Sequence, residues 1–188
     1  MGKVVAFFGH RDIFDEGAVA KRLMQTIKHL VSKGYTDFLI GRHGDFDNIV
    51  LECALNLKKK LNEQIKIILV LTSLSCLKKD EFGKNGLERY ILDGCETMMY
   101  DIEEEHFKNR IISSNRRMVD DSHLIICYVN MKETISGSKR AINYAIKQGK
   151  KIINLYKEKD NPFYDMTQKE IDEKLKEMTN FLEKIKTR

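Results

Sequence analysis

The sequence predicts an α/β fold: three layers, with a mainly parallel sheet and helices on both faces. Three observations carry that expectation. The apolar runs Lys3 to Phe8, Ile65 to Leu71 and His123 to Val129 are strand-sized and continuous rather than alternating, as strands covered on both faces are. Between such runs lie segments with apolar residues at helical spacing, so strand and helix alternate along the chain. The 188 residues, 42% of them hydrophobic, suit one domain with a substantial core.

Taken in order, the first strand runs from Lys3 to Phe8 and ends at Gly9. Asp15 then caps a helix whose inward residues are Val19, Leu23, Ile27, Leu30 and Val31, and Gly34 stops it. Asp37 to Ile40 forms a second strand closed by Gly41 and Gly44, and the next helix buries Ile49, Val50, Cys53, Ala54 and Leu57. After the strand Ile65 to Leu71 the rhythm breaks from Thr72 to Met99, where Ser73, Ser75, Gly83, Gly86 and Gly94 interrupt mixed charges. An ordered excursion with a short strand near Thr97 to Tyr100 is expected there, because long structureless loops are uncommon in compact domains. A helix from Glu103 to Met118, capped by Asp101, turns Phe107, Ile111 and Met118 inward. The strand His123 to Val129, a helix from about Ser138 to Gln148 stopped by Gly149, and the strand Lys151 to Leu155 complete the alternation.

Residues 1–156 are thus expected to form the α/β domain, and residues 157–188 to add a turn and an amphipathic helix packed on that domain. Pro162 marks the turn, Thr167 and Glu170 read as a capping box, and Ile171, Leu175, Met178, Leu182 and Ile185 form a narrow stripe. The stripe offers a homo-oligomer contact as its alternative use.

Composition removes several classes of function. No run approaches the ~18 apolar residues of a membrane helix, so no membrane-spanning role is expected. The N-terminal run leads into Gly-His-Arg-Asp and not into a cleavage site, and Ala6 stands where a myristoylation signal needs Ser or Thr. Cys53, Cys76, Cys95 and Cys127 show no CxxC spacing and read as reduced thiols of a cytoplasmic protein. The five histidines form no HxH or HxxxH pair, so neither a metal nor a cofactor is expected. The net charge of +5 comes from interleaved acids and bases, a solvated surface with a mild preference for anions.

In an open parallel sheet, ligands bind beyond the carboxyl ends of the strands. Those ends carry Gly9-His10-Arg11-Asp12, Gly41-Arg42-His43-Gly44-Asp45-Phe46-Asp47, and Tyr128-Val129-Asn130 leading to Ser136-Gly137-Ser138-Lys139. Glycines, cations and helix N-terminal amides are the parts of a phosphate site. Each residue alone also fits a plainer role: Gly9 and Gly41 as turn residues, Asp45 or Asp47 as helix caps, His10 and His43 as exposed loop residues.

Four blocks, Phe8-Gly9-His10-Arg11, Gly41 to Asp47, Asn115-Arg116-Arg117-Met118-Val119-Asp120-Asp121-Ser122, and Tyr144-Ala145 with Gly149-Lys150, resemble the SLOG superfamily, in particular its YpsA-like branch. That superfamily includes the LOG phosphoribohydrolases and the DNA-processing protein DprA. The resemblance covers roughly residues 3 to 155 and implies a Rossmann-like domain binding a nucleotide or nucleotide-derived ligand. It implies that Gly9 and Arg11 approach the ligand, with Gly41, Gly44 and Asp47 in the second glycine loop. Asn115 and Arg116 would reach the same crevice, and Gly137 and Ser138 would face phosphate. The chain departs from the enzymes at one point. Ser136 to Asn143 replaces the PGGxGTxxE element of LOG proteins, and Ala141 stands where deoxyribosyltransferases carry a nucleophilic Glu.

The resulting expectation is a cytoplasmic sensor or sequestering module for a nucleotide-derived small molecule. His10, Arg11, Arg42 and Asn130 join the glycines in its site, and Phe46 or Tyr128 stacks on the base or ribose. The alternative is an enzyme cleaving the N-glycosidic bond of nucleoside monophosphates, with Asp45, Asp47 or one of Glu103, Glu104 and Glu105 as the displaced carboxylate. Nucleic acid is disfavoured as a partner, because strand binding needs a basic groove with exposed aromatics and the charges are interleaved.

Overall fold

The structure is a computed structural model. It describes residues 2–60, 65–72, 90–91, 93–101, 106–132, 136–161, 166–167, 169–170, 172–173 and 176–177. The chain divides into two compact units, Met1–Tyr156 and Lys157–Arg188.

In the first unit the described elements are β1 (Lys3–Gly9), α1 (Glu16–Val31), β2 (Tyr35–Ile40), α2 (Asp45–Lys60), β3 (Lys66–Leu71), β4 (Glu96–Met99), α3 (Phe107–Asp121), β5 (Leu124–Tyr128), α4 (Gly137–Lys147) and β6 (Lys151–Asn154). The strands form one sheet in the order β4-β3-β2-β1-β5-β6. All five pairings are parallel. The chain steps outward from β1 to β4 and then returns to place β5 on the other side of β1. That reversal opens a crevice above the carboxyl ends of β1 and β5.

Side chains alternate along the strands into two cores. Val5, Phe7, Phe38, Ile40, Leu69 and Ile126 meet α1 and α2 on one face, while Ala6, Phe8, Leu39, Ile125 and Cys127 meet α3 and α4 on the other. Phe7 and Phe38 meet edge to face with ring centroids 5.4 Å apart. Burying each such ring or a Leu or Ile contributes about 1.5–3 kcal/mol against solvent exposure.

The helices start and stop for local reasons. Asp15 accepts from the Ala18 amide at 2.9 Å, and α1 buries Val19, Leu23, Ile27 and Leu30. Gly34 follows with φ of 81°, a conformation that L side chains avoid. Asp45 and Asp47 open α2 and Lys58, Lys59 and Lys60 close it, matching its dipole. Its buried face includes Ile49, Val50, Cys53, Ala54 and Leu57. Ser136 caps α4 by accepting from the Lys139 amide at 3.1 Å, and Gly149, with φ of 66°, ends the turn after it.

One helix boundary is corrected. α3 begins at Phe107 with His106 as its cap residue, so Asp101 does not cap it. It continues to Asp121, where the Ser122 hydroxyl donates to the Val119 carbonyl at 2.9 Å. Glu103, Glu104, Glu105 and most of the excursion after Thr72 lie outside the described residues. In the second unit, Thr167 and Glu170 make the reciprocal cap: the Thr167 amide donates to the Glu170 carboxylate at 2.7 Å. The stripe Ile171 to Ile185 lies outside the described residues.

Cys53, Cys95 and Cys127 are buried free thiols, and burial pushes Cys53 up to about 11 and Cys127 up to about 12. Among the described residues no helix is long and apolar enough to cross a membrane.

Candidate functional site

The crevice above β1 and β5 holds a cavity of about 370 Å³. Gly9, His10 and Arg11 enter it from the end of β1, Gly41, His43 and Gly44 from the β2–α2 turn, Asp47 from the first turn of α2, Asn115 from α3, and Ser136, Gly137 and Ser138 from the start of α4. Segments more than a hundred residues apart therefore share one wall-lined space.

The wall made by β1 and α2 is stitched to itself. The Asp45 amide donates to the Arg11 carbonyl at 2.8 Å, and the Ile13 amide donates to Asp45 Oδ2 at 3.0 Å. Arg11 Nε donates to the His43 carbonyl at 3.2 Å. The glycines let these pieces approach. A Cβ on Gly44 would stand 2.5 Å from the Arg11 Cα, and one on Gly9 would stand 2.2 Å from the Phe46 ring. Gly41 makes room for a carboxylate, since its Cβ would lie 3.0 Å from Asp47 Oδ2.

Asp47 is the chemically distinctive group of this wall. Its Oδ2 accepts from the His43 amide at 2.7 Å, yet loss of water around the carboxyl raises its pKa to about 6. The His43 imidazole is held below its ordinary value, first by partial burial and then by Arg11 and Arg42.

The opposite wall is the first turn of α4. Ser138 donates its hydroxyl to the Gly9 carbonyl, which ties this helix to the end of β1 across the crevice. The Ser136 hydroxyl serves the Lys139 amide, and the Arg140 amide donates to the Ser136 carbonyl at 3.0 Å. The Gly137 and Ser138 amides find no acceptor among the described residues. A Cβ on Gly137 would meet nothing within 4 Å, so no packing requires glycine there. Bare amides at a helix N-terminus beside a cavity are anion donors.

Other residues expected in the site are placed differently. Phe46 is fully buried and Tyr128 is 4% exposed; the two rings stack on each other at 6.0 Å, so neither is available to a base or ribose. Continuous apolar packing around the end of β5 claims both. Asp45 is absent from the cavity lining because it braces the Ile13 amide. Arg42 lies over the Tyr90 ring at 5.7 Å, and Arg116 lies over Tyr144 at 5.6 Å in a neighbouring groove. His10 lines the cavity, but its Nε2 accepts from the Asn130 amide at 2.7 Å, so Asn130 serves to fix the loop after β5. Gly41 and Gly44 are not among the positive-φ glycines, which are Gly34, Gly94 and Gly149.

Sequence reasoning placed Ser136 at the helix start without its capping role and missed Asn154. Asn154 accepts from the Val129 amide at 3.2 Å and donates to its carbonyl at 2.8 Å, closing the end of β5. A polar Asn inside the expected strand Lys151 to Leu155 was the available signal.

No family model matches the chain, and no curated protein does. A solved structure does share its fold. DNA processing protein A from Helicobacter pylori, described for its single-stranded DNA binding mode, is 18% identical with a TM-score of 0.56. The match covers 80% of this chain and 64% of that one, so this chain spans less than two thirds of its length. The likeness establishes the Rossmann-like α/β architecture. It also overturns the expectation that nucleic acid is a disfavoured partner, because a protein with this architecture binds single-stranded DNA. The physical reason is visible in α3 and α4: cations that look interleaved along the chain are gathered by folding onto adjoining helix faces.

Proposed function

We propose that the crevice binds the phosphate of a nucleotide unit, and that the chain is a nucleotide-binding module of the SLOG type, YpsA-like branch. The observation that carries this reading is the pair of amides at Gly137 and Ser138, without an acceptor among the described residues, in a helix turn that lines the same cavity as Arg11. Arg11 has no ion-pair partner among the described residues, so its guanidinium has donors left for an anion. Asn115 and the Asp47 carboxyl supply hydrogen-bonding partners for ribose or base on the same walls. The nucleotide unit is either a free small molecule or part of a single strand, the form suggested by the DNA processing protein. The buried free thiols support a reducing, cytoplasmic setting. Calorimetric titration with nucleoside 5′-monophosphates tests the reading: saturable binding that weakens on Arg11→Ala supports it, and absence of binding to any nucleotide or oligonucleotide overturns it.

One observation favours an enzymatic second reading. Asp47 lines the cavity with its pKa raised to about 6, the range of a group that can hold and release a proton near neutrality. In hydrolysis of an N-glycosidic bond, the C1′–N electron pair leaves with the base, which takes a proton, and water adds at C1′. The Asp47 carboxylate, however, already accepts the His43 amide and belongs to the self-stitched wall. The binding reading therefore expects no free-base release at ordinary enzyme rates. Release abolished by Asp47→Asn establishes the enzyme instead.

A further inference from the structure

A second depression, about 380 Å³, lies between α3 and α4 and shares Asn115 and Gly137 with the phosphate crevice. The residues at 112, 115 and 116 of α3 and at 137, 140, 141, 144 and 147 of α4 follow helical spacing, so each helix presents one face to the groove. Among the described residues Arg116, Arg140 and Lys147 line it, and no acid does. All three cations are exposed and none has an ion-pair partner among the described residues. The half-buried Tyr144 forms part of the wall, its hydroxyl fixed by donation to Asp120 at 2.9 Å and its ring covered by the Arg116 guanidinium.

We propose that this groove is a second subsite, which holds the following phosphodiesters of a single-stranded oligonucleotide whose terminal or leading phosphate sits on the Gly137 and Ser138 amides. The inference rests on the crevice reading above and extends it. Length decides against a mononucleotide. Gly137 to Lys147 spans about 15 Å along the helix axis at 1.5 Å per residue, so no single phosphate touches both ends. Charge decides against an apolar or cationic occupant, since among the described residues three cations and no acid line the groove, with Asp120 held behind it by the Tyr144 hydroxyl, and such a lining favours a polyanion. The Arg116 and Tyr144 pair adds a planar surface on which a base can stack.

The experiment compares the wild type with the double variant Arg140→Gln/Lys147→Gln, both exposed positions outside the crevice. The probes are thymidine 5′-monophosphate and 5′-phosphorylated oligothymidylates of two, four and eight nucleotides, read by fluorescence anisotropy and calorimetry at several salt concentrations. Expected are tighter binding by at least tenfold from one nucleotide to four, and a loss of that gain in the variant with monophosphate affinity unchanged. The variant's plot of log affinity against log salt should be shallower by about 1.4, the value for two lost phosphate contacts on a single strand. Equal affinity for one and four nucleotides, or an unchanged oligonucleotide affinity in the variant, overturns the groove and leaves the crevice standing. Failure of the wild type to bind any probe overturns the crevice and the groove together.

Discussion

Gly44 and Gly137 stand on walls of one crevice built by helices from opposite faces of the sheet, and a methyl group would be received differently at each. At Gly44 it would strike the Arg11 backbone at 2.5 Å; at Gly137 it would meet nothing within 4 Å. The first glycine is there because two loops must pack against each other, as Gly9 is there to admit the Phe46 ring. The second serves no contact within the described chain, and beside it two amides lack acceptors. Two glycines that look equivalent in sequence thus differ in structure: one wall is bonded to itself, while the other leaves two amides without an acceptor among the described residues.

The largest expected effect breaks the satisfied wall. Gly44→Val should destabilise the fold by about 3 kcal/mol or more, since the clash is with backbone and cannot be relieved by a rotamer. A denaturant midpoint equal to that of the wild type would remove the packing explanation.

Asp47 probes the same wall from the electrostatic side. Its pKa is about 6 when folded against an ordinary 3.8, so the folded protein holds this proton more tightly than the unfolded chain. The Asp47 contribution to stability is therefore most favourable below pH 4, declines as pH rises to about 6, and stays low above it. A shift of this size corresponds to up to about 3 kcal/mol. Asp47→Asn, whose side-chain oxygen can still accept the His43 amide, should be more stable than the wild type at pH 7 by up to that amount. The gain should vanish at pH 4. Urea unfolding of both proteins at the two pH values checks this, and a pH-independent difference contradicts the assignment.

Arg11 belongs to the stitched wall through one bond, and on the proposed reading its other donors serve the ligand. Arg11→Ala should weaken nucleoside monophosphate binding by about 1.5–3 kcal/mol, with a smaller loss of stability from the single bond to the His43 carbonyl. A stability loss larger than the binding loss would reassign Arg11 to structure alone.

The smallest effect on stability sharpens the comparison most. Gly137→Ala should stabilise the fold by about 0.4–1 kcal/mol, because the helical backbone there tolerates Ala and the unfolded chain loses freedom. The same methyl should reduce phosphate affinity by crowding the open amides. Thermal denaturation and calorimetry on one preparation read both signs.

The fold was legible because its signals are local or periodic. Continuous apolar runs announced β1, β3 and β5, and Asp15, Gly34 and Gly149 punctuated the helices where the chain shows them. The start of α3 was not, since His106 caps it without a side-chain bond and so leaves no residue-type signature. In the site, strand-end position identified Gly9, Arg11, Gly41, Asp47, Gly137 and Ser138 as cavity neighbours, and the SLOG resemblance added Asn115. It misassigned Phe46 and Tyr128, because an aromatic at a strand end looks the same in sequence whether it faces a ligand or stacks in the core. The α3–α4 groove was illegible for a related reason. Arg116 and Arg140 lie 24 positions apart among acids, and only helix packing brings them to one surface.

Amide chemical shifts followed during titration with a nucleoside 5′-monophosphate test the central claim most directly, because they report each wall separately. The account predicts saturable shifts largest at the Gly137 and Ser138 amides, with the Asp45 amide, already bonded to Arg11, moving least among the crevice residues. Saturable binding that leaves Gly137 and Ser138 unmoved would contradict it.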